Sequence, residues 1–150
     1  MKKILSILVV LVAFAGIANA QISIKKSEVD RPEQLTTLSP MWSWLYKIND
    51  AYFLVMKSSN QFDDWFWLRI GKTREECLQS IESLQDLCKT ITDKDRFEID
   101  NGRERQYIVT QYKAMGIAGL HFDGAGYAGF GYLIPANLTK AQKWIQKNLE

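Results

Sequence analysis

The sequence predicts an α+β fold, built as one curved antiparallel sheet of about six to seven strands with two helices packed on one face. Side chains of alternating polarity, separated by short turns, predict antiparallel strands. Apolar residues with helical spacing predict helices over 73–91 and 138–149. The predicted order is three strands and a helix, followed by four strands and a helix.

The first predicted hairpin joins a strand over 41–48 to a strand over 51–58 through a turn at 49–50. A two-residue turn places Trp44 opposite Val55. One face of this hairpin is then aromatic, and the other face is also largely apolar. Both faces of the hairpin are therefore suited to packing against another surface.

The first predicted helix follows a third strand over 65–70. Thr73 and Glu76 have the spacing of a capping box, which marks a helix start. Lys89 suits the negative end of the helix dipole. The sequence therefore indicates a helix that begins close to residue 73.

The two cysteines, Cys77 and Cys88, both fall in this helix. Eleven residues of α-helix separate them by ~16 Å along the axis, whereas a disulfide needs Cα atoms within about 7 Å. No metal-ligand spacing accompanies them. We expect two buried free thiols that behave as small apolar residues.

The second half contains Asn101-Gly102, a strong hairpin signal. A two-residue loop places Asp100 opposite Arg103, which would form an opposite-charge pair across the strands. Two glycine-rich strands are predicted to follow. The strands of this half are predicted over 97–100, 103–112, 116–122 and 127–134.

The N-terminus has the pattern of an export signal. Lys2 and Lys3 precede an apolar run over 4–17, and small residues ending at Ala20 form the site that signal peptidase cuts. This predicts a signal peptide over 1–20 and an exported protein, periplasmic or extracellular, in a bacterium. No later segment is apolar enough to span a membrane, so no span is expected after cleavage.

The mature chain is expected to form an extended arm over 21–40, which contains Pro32 and Pro40, and a single domain over 41–150. Without the two signal lysines, 17 of the 19 Lys and Arg residues remain against 17 Asp and Glu. The mature chain is therefore neutral. Net charge gives no reason to expect a nucleic acid partner.

Two glycine motifs resemble nucleotide-binding loops but fail in context. Residues 71–73 read Gly-Lys-Thr, yet Phe66 stands where a phosphate-binding loop needs its first glycine. Gly124, Gly126 and Gly129 have dinucleotide-type spacing, but the segment reads as a strand instead of the entry to a helix. No cofactor and no metal ion is predicted.

His121 is the single histidine, and Asp123 follows it on the same face of a predicted strand. Such a pair can act as a base and its orienting carboxylate. No nucleophile motif accompanies it. The pair is one candidate for a pocket, and the alternative is an ordinary hydrogen-bonded histidine.

The aromatic side chains of two strands form the main candidate binding surface. Trp42, Trp44 and Tyr46 alternate on one strand, and Trp65 and Trp67 alternate on another. Together they suit a sugar, a peptide or a protein partner. The alternative is that the N-terminal arm or a long loop covers this face.

These features favour a non-enzymatic binding or interaction protein of the cell envelope, with a protein partner, as in inhibitors and immunity-type proteins. The first alternative is a small-ligand or glycan-binding module that uses the aromatic face. The second is a hydrolase centred on His121 and Asp123. A deep pocket at His121 would favour the enzyme, an exposed Trp strip would favour a glycan, and a flat mixed patch or an open sheet edge would favour a protein.

Overall fold

The computed structural model describes residues 31–59, 65–102, 106–124 and 129–150. The predicted signal peptide, residues 1–20, lies outside these ranges. In the described part, four strands and a helix are followed by four more strands and a second helix. The elements are β1 (Glu33–Ser39), β2 (Ser43–Ile48), β3 (Ala51–Lys57), β4 (Trp65–Gly71), α1 (Arg74–Thr90), β5 (Phe97–Asp100), β6 (Gln106–Ala114), β7 (Ile117–Gly124), β8 (Phe130–Leu133) and α2 (Pro135–Asn148).

The strands form two antiparallel sheets of four strands each, in the orders β1-β2-β3-β4 and β5-β6-β7-β8. The α+β class, the antiparallel pairing and the two helices are confirmed. The prediction of one sheet of six to seven strands is wrong. A turn signal identified the β2–β3 hairpin, but α1 separates β4 from β5, and β5 pairs with β6 instead of extending the first sheet.

β1 lies in the segment that the sequence analysis assigned to the extended arm over 21–40. It pairs with β2, and its Leu38 is buried in the core. The first sheet therefore begins at Glu33, earlier than the domain start near Met41 that the sequence indicated. Polar side chains and two irregularities in the register hide the strand alternation there.

The β2–β3 hairpin has the predicted register. Trp44 pairs with Val55 and Ile48 with Ala51. Asn49 in the turn has a φ of 54°, the left-handed conformation that two-residue hairpin turns require and that Asn tolerates. Local turn chemistry was sufficient to set this pairing.

The β5–β6 register differs from the prediction. Asp100 pairs with Gln106, whereas the predicted partner Arg103 lies outside the described residues. Asn101 is buried, and its carbonyl accepts a hydrogen bond from the Arg69 N–H of β4 at 3.0 Å. This contact with the first sheet takes Asn101 out of the tight turn that its sequence suggested.

One main core joins both sheets and both helices. The inner faces of the sheets contribute Leu54, Phe66 and Phe122, and the helices contribute Ile81 and Ile145. All five are almost completely buried. The helices also contact each other, so the core lies between the two sheets and the helix pair.

Gly131 of β8 marks a close approach of the two sheets. A Cβ added at this glycine would lie 3.1 Å from both Met56 and the Phe66 ring. Glycine inside a strand is expected where another group comes close. The two sheets therefore pack directly against each other at this point.

Tyr107 of β6 bonds to the edge of the first sheet. Its hydroxyl donates to the Trp67 carbonyl and accepts from the Trp67 N–H, both at 3.1 Å. Tyr107 is almost fully buried. The second sheet thus satisfies backbone groups at the edge of β4 that would otherwise face another chain or water.

α1 begins as predicted, because the Thr73 hydroxyl accepts a hydrogen bond from the Glu76 N–H at 3.2 Å. α2 begins at Pro135, before the predicted Leu138. Proline is favoured at the first helical position because it needs no N–H partner there. Within the described residues, neither helix is long and apolar enough to cross a membrane.

Both cysteines are buried and unpaired on the unbroken α1. Burial raises the pKa of Cys77 to about 12 and that of Cys88 to about 11. Thiols react as thiolates, so both should be protected in the native state.

We expect two free thiols per chain in denaturant without reductant, and almost none reactive in the folded protein. Thiol counting with a chromogenic disulfide reagent, before and after denaturation, measures both values. An intramolecular disulfide would contradict the straight helix. Rapid native labelling would instead contradict the burial of the two sulfur atoms.

Candidate functional site

The outer face of the first sheet, turned away from the main core, carries a separate aromatic cluster. We call it the tryptophan face. Strand alternation places its side chains opposite core residues such as Leu54 and Phe66. It consists of Trp44 and Tyr46 on β2, Phe53 and Val55 on β3, and Trp65 and Trp67 on β4.

The rings of β2 and β4 meet across β3. Trp44 and Trp65 have ring centroids 4.8 Å apart with planes inclined by 42°. Tyr46 and Trp67 lie 5.4 Å apart in an edge-to-face arrangement. Val55 pairs with both Trp44 and Trp67 and is small enough to let the larger rings meet above it. Four of the five predicted binding residues are therefore neighbours.

The tryptophan face is partly covered by its own side chains. Phe53 and Val55 are buried, while Trp44, Tyr46 and Trp67 are half-buried. Trp65 retains 37% of its surface exposed. Among the described residues, the buried cluster beneath these rings draws its members only from the first sheet and its turns.

Trp42, the fifth predicted residue, lies apart from that cluster. Its ring is 5.8 Å from Tyr132 of the second sheet, and 36% of its surface is exposed. Tyr132 stacks on Tyr112 at 4.9 Å with nearly parallel planes. Burial, together with the neighbouring Tyr112, raises the pKa of Tyr132. The Trp42 ring, in the turn after β1, therefore contacts a second aromatic group, which consists of Tyr112 and Tyr132.

Tyr112 and Tyr132 were missed by the sequence analysis. They lie on β6 and β8, on either side of β7, where Gly119 pairs with Tyr112. The two rings meet above the middle strand, while the missing side chain of Gly119 lets the Leu133 carbonyl and Ile134 come close. The alternation of aromatic residues with glycine was visible in the sequence, but the pairing of β6 with β7 was needed to interpret it.

His121 and Asp123 lie on the same face of β7, as expected from their spacing. The His121 Nδ1 atom is 3.2 Å from the Thr110 hydroxyl, and its ring centroid is 4.2 Å from that of Phe130. Burial lowers the pKa of His121, and the Asp123 carboxylate opposes that effect. Within the described part of the chain, no hydrogen bond joins His121 to Asp123. The hydrogen-bond partner of the imidazole is thus the Thr110 hydroxyl.

A polar groove, also missed from the sequence, lies between α1 and the β4–β5 side of the molecule. It has a volume of about 330 Å³, and its lining includes Arg69, Glu76 and Asp100. Glu76 already accepts a hydrogen bond from the Lys72 N–H, and Asp100 accepts one from the Gly102 N–H. The two carboxylates of the groove therefore already accept hydrogen bonds, that of Glu76 at the start of α1 and that of Asp100 in a turn.

No group of three or more histidine, cysteine or acidic side chains in the described ranges is arranged to hold a metal ion. Comparison with models of protein families, with curated proteins and with solved structures finds no match to this chain.

Proposed function

We propose that the mature chain, residues 21–150, is an exported, non-enzymatic binding module of the bacterial cell envelope with a protein partner. The observation that carries the proposal is the tryptophan face, an aromatic surface that lies on the opposite side of the first sheet from the main core. The export signal at residues 1–20 supports the location.

The composition of this face favours a protein over other ligands. Trp, Tyr and Arg are the residue types enriched at the centres of protein interfaces. Arg69 alternates with Trp65 and Trp67 on β4 and so shares their face. A mixed aromatic and cationic surface is the kind of patch that protein partners bind. Inhibitor and immunity-type proteins have a similar size, which is an analogy only.

A glycan is the second candidate, because Trp65 and Trp42 are each more than one third exposed. Sugar rings stack on the free face of an aromatic ring. Here Trp44 and Trp65 pack against each other at 42°, so part of each ring face is already in use. This arrangement supports a glycan less strongly than a protein.

A hydrolase centred on His121 and Asp123 has the least support. The imidazole is bound to Thr110 and packed on Phe130. A general base needs an orienting partner and a reacting group within hydrogen-bond reach. Among the described residues, the Thr110 hydroxyl is the only group at hydrogen-bond distance from the imidazole.

Trp65→Ala is expected to abolish partner binding with a small change in melting temperature, because the Trp65 side chain is partly exposed. Trp67→Ala should melt distinctly lower, since Trp67 packs on both Tyr46 and Phe53. Thermal melts followed by circular dichroism measure the stability. Capture from envelope extracts identifies the partner, which is then purified and titrated calorimetrically.

Phe97→Ala is the matched control for this experiment. Phe97 is 41% exposed and lies on β5, outside the tryptophan face. It should bind the purified partner like the wild type. Equal affinity of Trp65→Ala and wild type would refute the proposed face. Binding of peptidoglycan fragments that Trp65→Ala removes would instead favour the glycan.

A further inference from the structure

The turn between β6 and β7 carries an exposed apolar apex, which we define as Ala114, Met115, Gly116 and Ile117. Met115 is fully exposed, and Ile117 is 47% exposed. A Cβ added at Gly116 would find no atom of the described residues within 4 Å. A shallow groove at the apex is lined only by residues 113–118. Met115, Gly116 and Ile117 are thus exposed, and Ala114 is half-buried at the base of the turn.

The apex projects because β6 and β7 extend beyond the ends of the neighbouring strands β5 and β8. Pairing of β5 with β6 ends at Val109, and pairing of β8 with β7 ends at Leu120. β6 and β7 remain paired with each other as far as Ala114 and Ile117. The end of the hairpin is therefore a two-stranded projection from a four-stranded sheet.

Methionine at position 115 is an unfavourable residue for this turn. Met115 and Gly116 have φ values of 51° and 79°, as in type I′ turns, which strongly favour Asn followed by Gly. Methionine has a Cβ that disfavours this conformation, and here its side chain is exposed to water. Backbone strain combined with exposed apolar surface is a reason to look for a function.

The residues between the apex and the base of the hairpin are aromatic and cationic. Ala114 and Ile117 share their sheet face with Tyr112 and, on β8, Tyr132. Tyr112 precedes Met115 by ~10 Å of extended chain. Lys113 is exposed, and the sequence has no acidic residue from 111 to 122. From the tip of the hairpin to its base, the side chains are first apolar (Met115 and Ile117), then cationic (Lys113), then aromatic (Tyr112 and Tyr132).

We propose that this apex inserts into the interfacial layer of an anionic phospholipid bilayer and holds the exported protein on the membrane surface. Met115 and Ile117 would enter the outer acyl region, where their apolar area leaves water. Lys113 would meet anionic headgroups, and Tyr112 and Tyr132 would lie at headgroup level, which tyrosine favours. The insertion is shallow, because unpaired strand edges are not tolerated in hydrocarbon.

Vesicle co-sedimentation of the mature protein tests the proposal, with phosphatidylglycerol–phosphatidylethanolamine vesicles as the probe. Met115→Asn should weaken binding by ~10-fold or more, since a buried apolar side chain is lost. It should not lower the melting temperature, because Asn-Gly suits the turn. Lys113→Gln should weaken binding ~5-fold on these vesicles and leave phosphatidylcholine binding unchanged.

Two controls separate this surface from the others. Phe97→Asn removes an exposed aromatic side chain away from the apex, and it should bind vesicles like the wild type. Trp65→Ala should also bind vesicles normally, so loss of the partner site and loss of membrane attachment can be told apart. Equal vesicle binding by Met115→Asn and wild type would overturn the proposal.

A depth probe supplies the second measurement. Met115→Cys can be labelled selectively with an environment-sensitive fluorophore, because Cys77 and Cys88 are buried. Insertion should shift its emission to the blue on addition of vesicles, and spin-labelled lipids should quench it. An emission spectrum that vesicles leave unchanged would contradict insertion of the apex. Binding of a purified protein by the apex, without binding of vesicles, would also contradict it.

Discussion

Replacing Phe66 with alanine is expected to lower the free energy of unfolding by ~3–5 kcal/mol, the usual loss for a buried phenylalanine. Phe66 is 1% exposed and lies between the two sheets. Its ring packs 5.4 Å from that of Tyr107 and against Gly131. The substitution leaves a cavity where β4, β6 and β8 meet. Urea denaturation monitored by circular dichroism measures the loss.

Trp65→Ala is the matched control, because Trp65 is adjacent in β4 and points to the opposite face. Trp65→Ala should lower the free energy of unfolding much less than Phe66→Ala does, because the Trp65 side chain, although larger, is 37% exposed. Similar losses in the two variants would mean that the tryptophan face is as buried as the core. That result would also remove the main support for a binding surface.

Replacing Tyr107 with phenylalanine is expected to lower the free energy of unfolding by ~1–3 kcal/mol, since a partly buried backbone donor and acceptor lose this partner. The change removes only the hydroxyl that bonds to the N–H and carbonyl of Trp67. Its ring contacts with Phe66 and Phe122 remain. Urea denaturation of the variant and the wild type measures the difference.

Tyr46→Phe removes a tyrosine hydroxyl from an exposed hydrogen bond, to Gln34 at 3.0 Å. It should change stability by a few tenths of a kcal/mol, because water replaces the lost partner. A Tyr107→Phe variant as stable as Tyr46→Phe would show that the bond between the sheets contributes nothing. In that case apolar packing and the other hydrogen bonds between the sheets, such as that from the Arg69 N–H to the Asn101 carbonyl, hold the sheets together.

The aromatic residues of the site were identified from alternation, and alternation is a local property. Trp44 and Tyr46 share a face because consecutive strand residues point to opposite sides. That Trp65 packs on Trp44 required β4 to lie beside β3, which consecutive strands usually do. The position of Trp42 against Tyr132 was not predictable in this way, because it depends on how the two sheets pack.

The apex at Met115 was missed for a different reason. Its sequence has none of the usual turn residues before Gly116, and the strand prediction ended at Tyr112 and resumed at Gly116. Exposure was needed to recognise it, and exposure is a property of the folded chain. His121 is a similar case, since its partner Thr110 lies across the β6–β7 pairing.

Local chemistry in the sequence determined the elements that depend on near neighbours. These are the β2–β3 register, set by a two-residue turn at Asn49, the start of α1, set by Thr73, and the separation of Cys77 and Cys88 along that helix. Each involves residues close enough in the chain that few alternative arrangements exist.

Only the tertiary structure decided that the strands divide into two sheets and how those sheets meet. Asn101 and Gly102 carry a strong signal for a tight turn, yet the Asn101 carbonyl bonds to the Arg69 N–H and Asp100 pairs with Gln106. Burial of a backbone carbonyl demands a partner, and β4 supplies one from a distant part of the chain. Such long-range contacts leave no pattern in local sequence, because packing and hydrogen bonding across the core select among several locally acceptable pairings.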